Sequence, residues 1–307
     1  MRRSIISVAS ACILLLSVLS CREKPRPSRE FVGSTAFAYI QSQLAFGPRV
    51  PGTPAHEKMG NWLDSLLHAR ADTLLVQSWS HVTGKGDTLR LRNFLARFNP
   101  AAEKRLLFLA HWDSRPVSDS PTSRDSSHAV MGANDGGSGV ALLLGVADVL
   151  KRAPSSVGAD LLFVDGEDYG DFTKSPNDVL IGSRYYGAHQ ATGPKPLYAV
   201  LFDLVADKDL QIYQEGNSLV GAPEVVELVW DTAKELGYAG YFIASPRHTL
   251  IDDHLELQKA GIRAIDVVDF DYPAWHTQYD TIDKVSAKSL QVVGDVAVEL
   301  IRREGRE

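Results

Sequence analysis

Four short apolar runs constrain this 307-residue chain more than any other feature: RLLFLA (105–110), ADLLFVD (159–165), YAVLFDLV (198–205) and AGIRAIDVVDF (260–270). Each is too short for a long buried helix and too continuously apolar for a strand with one wet face. They read as strands of a sheet covered on both sides. Between and around them lie stretches with helical spacing: 34–46, 57–69, 138–152, the segment VLIGSRYYGAH, 223–237 and a short helix at 254–260. Pro223 and Gly237 stand where a helix start and a helix stop are expected. TLLVQSW (73–79) and DTLRLRNFLARF (87–98) add two strands of alternating or β-branched character. Strands alternating with helices predict an α/β three-layer sandwich, with a mixed, mostly parallel central sheet and helices on both faces.

In such a sheet, ligands collect beyond the C-terminal ends of the strands. His111 follows 105–110 directly. Asp135 sits in the loop MGANDGGSG ahead of the helix at 138, Glu167 and Asp168 follow 159–165, Asp203 is near the end of 198–205, and His276 lies beyond 260–270. Five polar segments are thereby predicted to meet at one rim. Gly136, Gly137 and Gly139 are read as allowing close turns around Asp135, since no lysine follows at the position a phosphate-binding loop requires.

Imidazole nitrogen and carboxylate oxygen both suit Zn²⁺, and a catalytic zinc takes three protein ligands with one position open. Asp135, Asp168 and His276 form such a set. Glu167, next to a ligand, suits the role of proton carrier better than that of a second ligand. Each residue has a plainer reading by itself: Asp135 as a helix cap, Glu167 and Asp168 as a solvated pair, Asp203 as a partner of the backbone, His276 as a half-buried ring. Their common placement at strand ends favours the metal. His56, His68, His81, His128, His189 and His248 have no spacing that selects them and are read as solvated or structural. His254, inside LIDDHLELQKAG, is at most a supporting residue behind the site.

The formal net charge is −6, with no basic stripe, which weighs against nucleic acid as a partner. The N-terminus, MRRSIISVASACILLLSVLSC, has two arginines, an apolar run from Ile5 to Leu19 and then Ser20-Cys21. That is the anatomy of an export signal. Val18-Leu19-Ser20-Cys21 resembles a bacterial lipobox, whose cysteine is lipidated. The expected division is a signal peptide over 1–20, lipidated Cys21 and a tether over 21–33, and one catalytic domain over 34–307. Loss of Arg2 and Arg3 takes the mature chain to about −8. Cys12 and Cys21 are the only cysteines in the chain, so the mature body has neither a disulfide nor a thiolate ligand. The expected location is exported and lipid-anchored to the membrane through Cys21, facing the periplasm or cell surface, with no obligate protein partner implied.

HWDSRP, GANDGGSG, VDGEDYG, LFDLV and WHTQYDT, in this order, resemble the M28-type zinc aminopeptidase superfamily, which also contains the animal-type glutaminyl cyclases. The resemblance runs from about residue 34 to the C-terminus. To the two-zinc peptidases it implies His111 and Asp203 on one ion, Asp168 and His276 on the other, Asp135 bridging, and Glu167 activating a water that attacks an N-terminal peptide bond. To the cyclases it implies one zinc on Asp135, Asp168 and His276, with Asp203 and Asp253 in an acidic hydrogen-bond network and Trp275 walling the pocket. SPNDVLIGSRYYG and DDHLELQKAGI are similar to exported bacterial glutaminyl cyclases. Lys174 stands where the animal cyclases carry a tryptophan, and Phe172 is the alternative aromatic wall. The leading expectation is conversion of N-terminal glutamine of peptides or proteins to pyroglutamate, with one zinc and Glu167 as general base and acid. A dizinc aminopeptidase is the alternative, and an inactive surface-binding lipoprotein is a third reading.

Overall fold

The computed structural model describes residues 30–123 and 125–306. The signal peptide, Cys12, Cys21 and most of the expected tether lie outside the described residues. Among the described residues, no helix is long and apolar enough to cross a membrane.

The chain begins with two helices, α1 (Gly33–Leu44) and α2 (Pro54–His68), followed by the antiparallel pair β1 (Thr73–Val82) and β2 (Thr88–Phe98). The alternating units are β3 (Arg105–His111), α3 (Gly137–Arg152), β4 (Gly158–Val164), α4 (Ile181–Ala188) and β5 (Ala199–Asp203). After these come β6 (Ile212–Gln214), α5 (Gly216–Gly221), α6 (Pro223–Glu235), β7 (Phe242–Pro246), α7 (Asp253–Lys259), β8 (Ala264–Val268) and the C-terminal α8 (Ala287–Glu304). The main sheet has the order β1-β2-β4-β3-β5-β8. Its β4-β3-β5-β8 part is parallel, while β2 joins β4 antiparallel. The expected mixed, mostly parallel sheet is therefore present.

Every residue of β3 and β4 is buried, which is why their sequences lack a polar alternation. The alternation appears instead as a division between two cores. Leu106, Phe108 and Ala110 pack with α1, α2, α3 and α8, whereas Leu107 and Leu109 pack toward Tyr186 of α4 and Leu257 of α7. Successive side chains of a strand point to opposite faces, so one apolar run serves both layers.

Several boundaries depart from the sequence reading. The run 198–205 is strand only to Asp203, because Leu204 takes a left-handed conformation (φ 52°) that turns the chain out of the sheet. The run 260–270 keeps only Ala264–Val268, after a turn in which Gly261 has positive φ. The helix expected at 254–260 begins at Asp253, capped by the Asp252 side chain. Helix α8 has no counterpart in the sequence reading, although Leu290, Val293, Ala297, Leu300 and Ile301 repeat at helical spacing and are all buried. The small β6-β7 pair was likewise not anticipated.

The expected tether over 21–33 is too long. Phe31 is buried in the main core, and Glu30 pairs with Arg302 of α8 at 2.7 Å. The Phe31 ring fills a slot between α3 and α8 that exists only because Gly145 and Gly294 lack side chains. A Cβ on either would approach the ring to 2.5 Å or less. Glu30 and Phe31 thus belong to the packed domain, and a polar linker composition concealed one anchoring aromatic. Phe31→Ala should lower unfolding stability by about 3–5 kcal/mol, measured by denaturant titration, because the slot cannot collapse when both walls are backbone.

Candidate metal centre

The parallel strands deliver their C-terminal ends to one pocket. His111 ends β3, Asp203 ends β5, and Glu167 and Asp168 follow β4 after one tight turn. Asp135 lies in the turn that opens α3, and His276 in the loop after β8. His111 Nε2 stands 3.2 Å from Asp135 Oδ1 and 3.3 Å from Asp203 Oδ1. His276 Nε2 stands 3.3 Å from Asp168 Oδ1 and 3.6 Å from Asp135 Oδ2. Two triads result, His111–Asp135–Asp203 and Asp135–Asp168–His276, sharing Asp135.

These residues fit zinc on three grounds. The donors are imidazole and carboxylate, the set zinc prefers among oxygen and nitrogen ligands. A tetrahedral ion with bonds of ~2.0–2.1 Å separates its ligand atoms by about 3.3–3.4 Å, and the spacings above bracket that value. Asp135 Oδ2 and Asp168 Oδ2 are buried without a hydrogen-bond partner, a costly state that a cation relieves.

Electrostatics give the same reading. Burial and then the charge of Asp168 push the Asp135 carboxyl above its ordinary range in the metal-free protein. Burial, followed by Asp168, raises Glu167 much further. For Asp168 the burial penalty is outweighed by His276 and Arg115, and its carboxyl falls below the usual range. Burial pulls His276 down, but Asp168 and Asp119 overcome it and bring the imidazole to about 9. The metal-free site is thus an acid cluster partly neutralised by protons.

Backbone clamps hold the ligand loops. Asp113 accepts the N–H groups of Glu167 and Asp168, both at 3.1 Å. Asp280 accepts those of Asn134 and Asp135 at 2.9 and 3.0 Å, and also the Tyr272 hydroxyl. Fully buried Arg49 donates to the carbonyls of Trp112, Met131 and Gly132, tying the entry to β3's loop to the Asp135 turn. Gly136 has φ 70°, and a Cβ there would lie 2.8 Å from the His111 ring, so the turn can close on the histidine only with glycine. The sequence reading missed Asp113, Arg49, Arg115, Asp119 and Asp280. Three of them stand within or beside the quoted HWDSRP and its continuation to Asp119, and Asp280 stands within the quoted WHTQYDT; Arg49 alone of the five lies outside any quoted motif.

The pocket over this cluster has a volume of about 240 Å³ and is lined by Phe172, Leu250, Ile251, Phe270 and Trp275 above the acids. Two roomier grooves, of about 760 and 690 Å³, contain neither triad. Trp275 stacks on the His276 ring with centroids 3.8 Å apart. Phe172 lines the pocket, while Lys174 is exposed and pairs with Asp171.

Asp253 is not where the sequence reading put it. Its carboxylate is fully buried and accepts from the Ser183 hydroxyl behind the pocket lining, within electrostatic reach of His111 and Asp203, with its pKa raised to about 7 by burial. Its neighbour Asp252 lines the pocket beside Asp203. In an Asp-Asp pair at a helix start, sequence alone does not say which side chain faces inward. His254 is fully buried with Nε2 3.3 Å from Glu215, behind the site rather than in it. Of the unselected histidines, His56 is buried, stacked on Trp112 and bonded to Asp165 at 2.8 Å, a packing role. His81 pairs with Asp178, and His248 with Asp271.

The chain belongs to peptidase family M28, whose profile matches residues 93–301. The structure is similar to a Porphyromonas gingivalis glutaminyl cyclase, with a TM-score of 0.86 and 33% identity over 90% of this chain and 100% of that one. It is equally similar to a Zn-dependent exopeptidase from Parabacteroides distasonis, with a TM-score of 0.85 and 34% identity over 89% of this chain and 98% of that one. A Gloydius blomhoffii glutaminyl-peptide cyclotransferase is 28% identical over 241 residues. The match spans 65% of this chain and 64% of that protein's length, a little under two thirds.

Because His276 carries a proton in the metal-free protein below about pH 9, a cation must displace that proton to use Nε2. Zinc affinity should therefore rise about tenfold or more per pH unit between roughly pH 6.5 and 8.5, measured by chelator competition. A flat profile would remove His276 from the ligand set.

Proposed function

We propose that this protein is a zinc-dependent glutaminyl-peptide cyclotransferase, converting N-terminal glutamine of peptides or proteins to pyroglutamate with release of ammonia. The observation that carries the reading is Glu167, buried beside the Asp135–Asp168–His276 triad at the floor of a small aromatic-walled pocket. Extensive likeness to glutaminyl cyclases from several bacteria, over 88–90% of this chain, supports cyclisation. A pocket below the ~300–1,000 Å³ typical of larger ligands suits one short side chain folded back on its own amine.

A zinc ion on the triad supplies Lewis acidity toward the carboxamide oxygen. The remaining work falls to the protein. Glu167, its carboxylate made basic by burial and by Asp168, takes a proton from the substrate's α-amine as that nitrogen bonds to its own side-chain carbonyl carbon. The carbon–NH₂ bond then breaks, and Glu167 returns the proton to the leaving nitrogen as ammonia departs. Asp252 and Asp203, side by side in the pocket, serve to orient the amide and amine groups. Trp275, Phe172 and Phe270 exclude water, which would otherwise compete with the amine. An internal nucleophile supplies about 7–11 kcal/mol of barrier reduction through proximity, so a single ion suffices in this reading.

The second reading is a dizinc aminopeptidase, favoured by the His111–Asp135–Asp203 triad, which gives a second seat. There Glu167 performs the same proton transfer on water. Export and anchoring through lipidated Cys21 complete the proposal, supported by the residues preceding that cysteine. Cys21→Ser should move the protein from the membrane to the soluble fraction on ultracentrifugation; unchanged sedimentation would argue against the lipid.

Purified protein should release ammonia from Gln-Ala and leave Leu-Ala intact. The reverse pattern, with two zinc ions per chain, would establish the peptidase instead. Glu167→Gln should reduce kcat by ~10²–10⁴-fold while zinc content stays unchanged.

A further inference from the structure

The two triads differ in what stands behind them. Arg115, 4% exposed, forms a fork on Asp119, with Nε and Nη2 each 2.6 Å from a carboxylate oxygen. Its remaining nitrogen, Nη1, donates to Asp168 Oδ1 at 2.6 Å and to the Asp168 carbonyl at 3.3 Å. Asp119 in turn stands 3.2 Å from Nδ1 of His276. One guanidinium thereby joins two members of a single triad. It donates to Oδ1 of Asp168 while Oδ2 is buried without a partner, and through Asp119 it holds the Nδ1 side of His276, so that Nε2 is the nitrogen left to an ion once its proton is displaced.

The support behind His111 is looser, with Asp113 Oδ1 3.5 Å from its Nδ1 against 3.2 Å between Asp119 and His276. The His111 Nδ1 is buried without a hydrogen-bond partner, and Glu167 Oε2 lies 3.9 Å from it. Both oxygens of Asp113 already accept backbone N–H groups from Glu167 and Asp168. Asp203 Oδ1 is shared with the backbone N–H of Leu204.

We infer that Arg115 and Asp119 are positioning residues which make the two metal seats unequal, so that Asp135–Asp168–His276 takes the first zinc and His111 contributes nothing to that event. A histidine ligand whose far nitrogen is held by a carboxylate is already oriented and more basic, and outer partners of this kind change metal affinity by about 10–100-fold. The guanidinium lies between two carboxylates, so its charge is balanced and does not repel the ion. Arginine is required because a lysine ammonium cannot hold both acids in one plane.

The inference rests on the metal-binding reading and is independent of whether the enzyme cyclises or hydrolyses. The test is zinc titration of the metal-free mature chain by chelator competition, without substrate. Asp119→Asn should weaken the first zinc about 10–100-fold, and Arg115→Lys should weaken it in the same direction. His111→Ala should leave the first zinc within about threefold of wild type, because His111 belongs to the other triad. Thermal unfolding separates positioning from structure. In Asp119→Asn the zinc-induced rise should shrink relative to that variant's own metal-free midpoint, which itself falls because Arg115 loses a charged partner. First-ion binding that is unaffected in both Asp119→Asn and Arg115→Lys, or a His111→Ala loss as large as that of His276→Ala, would overturn the inference. Absence of zinc binding in the wild-type chain would overturn the metal reading beneath it.

Discussion

Mutual repulsion among buried carboxylates is the constraint on which this structure turns. Asp135, Glu167, Asp168, Asp203 and Asp252 share one pocket, and burial together with their neighbours' charge raises several of them above the ordinary range. Such crowding is unfavourable unless protons or a cation neutralise it. The protein maintains it through rigidity. Each acid sits at the end of an inner strand or in a loop clamped by another carboxylate accepting backbone N–H groups, so the acids cannot relax apart.

Those clamps explain why the fold is built with two cores. The inner strands are apolar on both faces, which fixes their ends relative to one another to within the tolerance of side-chain packing. Left-handed residues then appear where the chain must turn sharply at the rim: Leu204 directly after Asp203, and His276 itself. Backbone strain at these positions is affordable only because the sheet beneath is over-determined.

The same geometry serves two reactions in principle. A carboxylate basic enough to take a proton and a metal seat beside it are common to cyclisation and hydrolysis; the nucleophile and the shape above the site differ. Phe172, Phe270 and Trp275 narrow the space over the acids, in a chain similar over about nine-tenths of its length to both a glutaminyl cyclase and a Zn-dependent exopeptidase.

Much of this was legible in the linear chain, for a definite reason. Apolar runs such as RLLFLA and ADLLFVD are dictated by two-sided burial, and a polar residue ending such a run has only the sheet's rim to occupy. That made the layered fold legible and pointed to the rim for His111, Glu167, Asp168 and Asp203, whereas Asp135 and His276 lie in loops and entered the expected ligand set by residue type. Local sequence could not determine which member of Asp252-Asp253 faces the pocket, because a rotation at the first turn of α7 exchanges them. Nor could it disclose that Phe31 belongs to the core, that Arg49 and Asp280 hold the Asp135 turn, or that Arg115 and Asp119 stand behind only one of the two histidines. Those contacts join residues dozens to hundreds of positions apart in the chain or depend on side-chain direction, and only packing in three dimensions decides them.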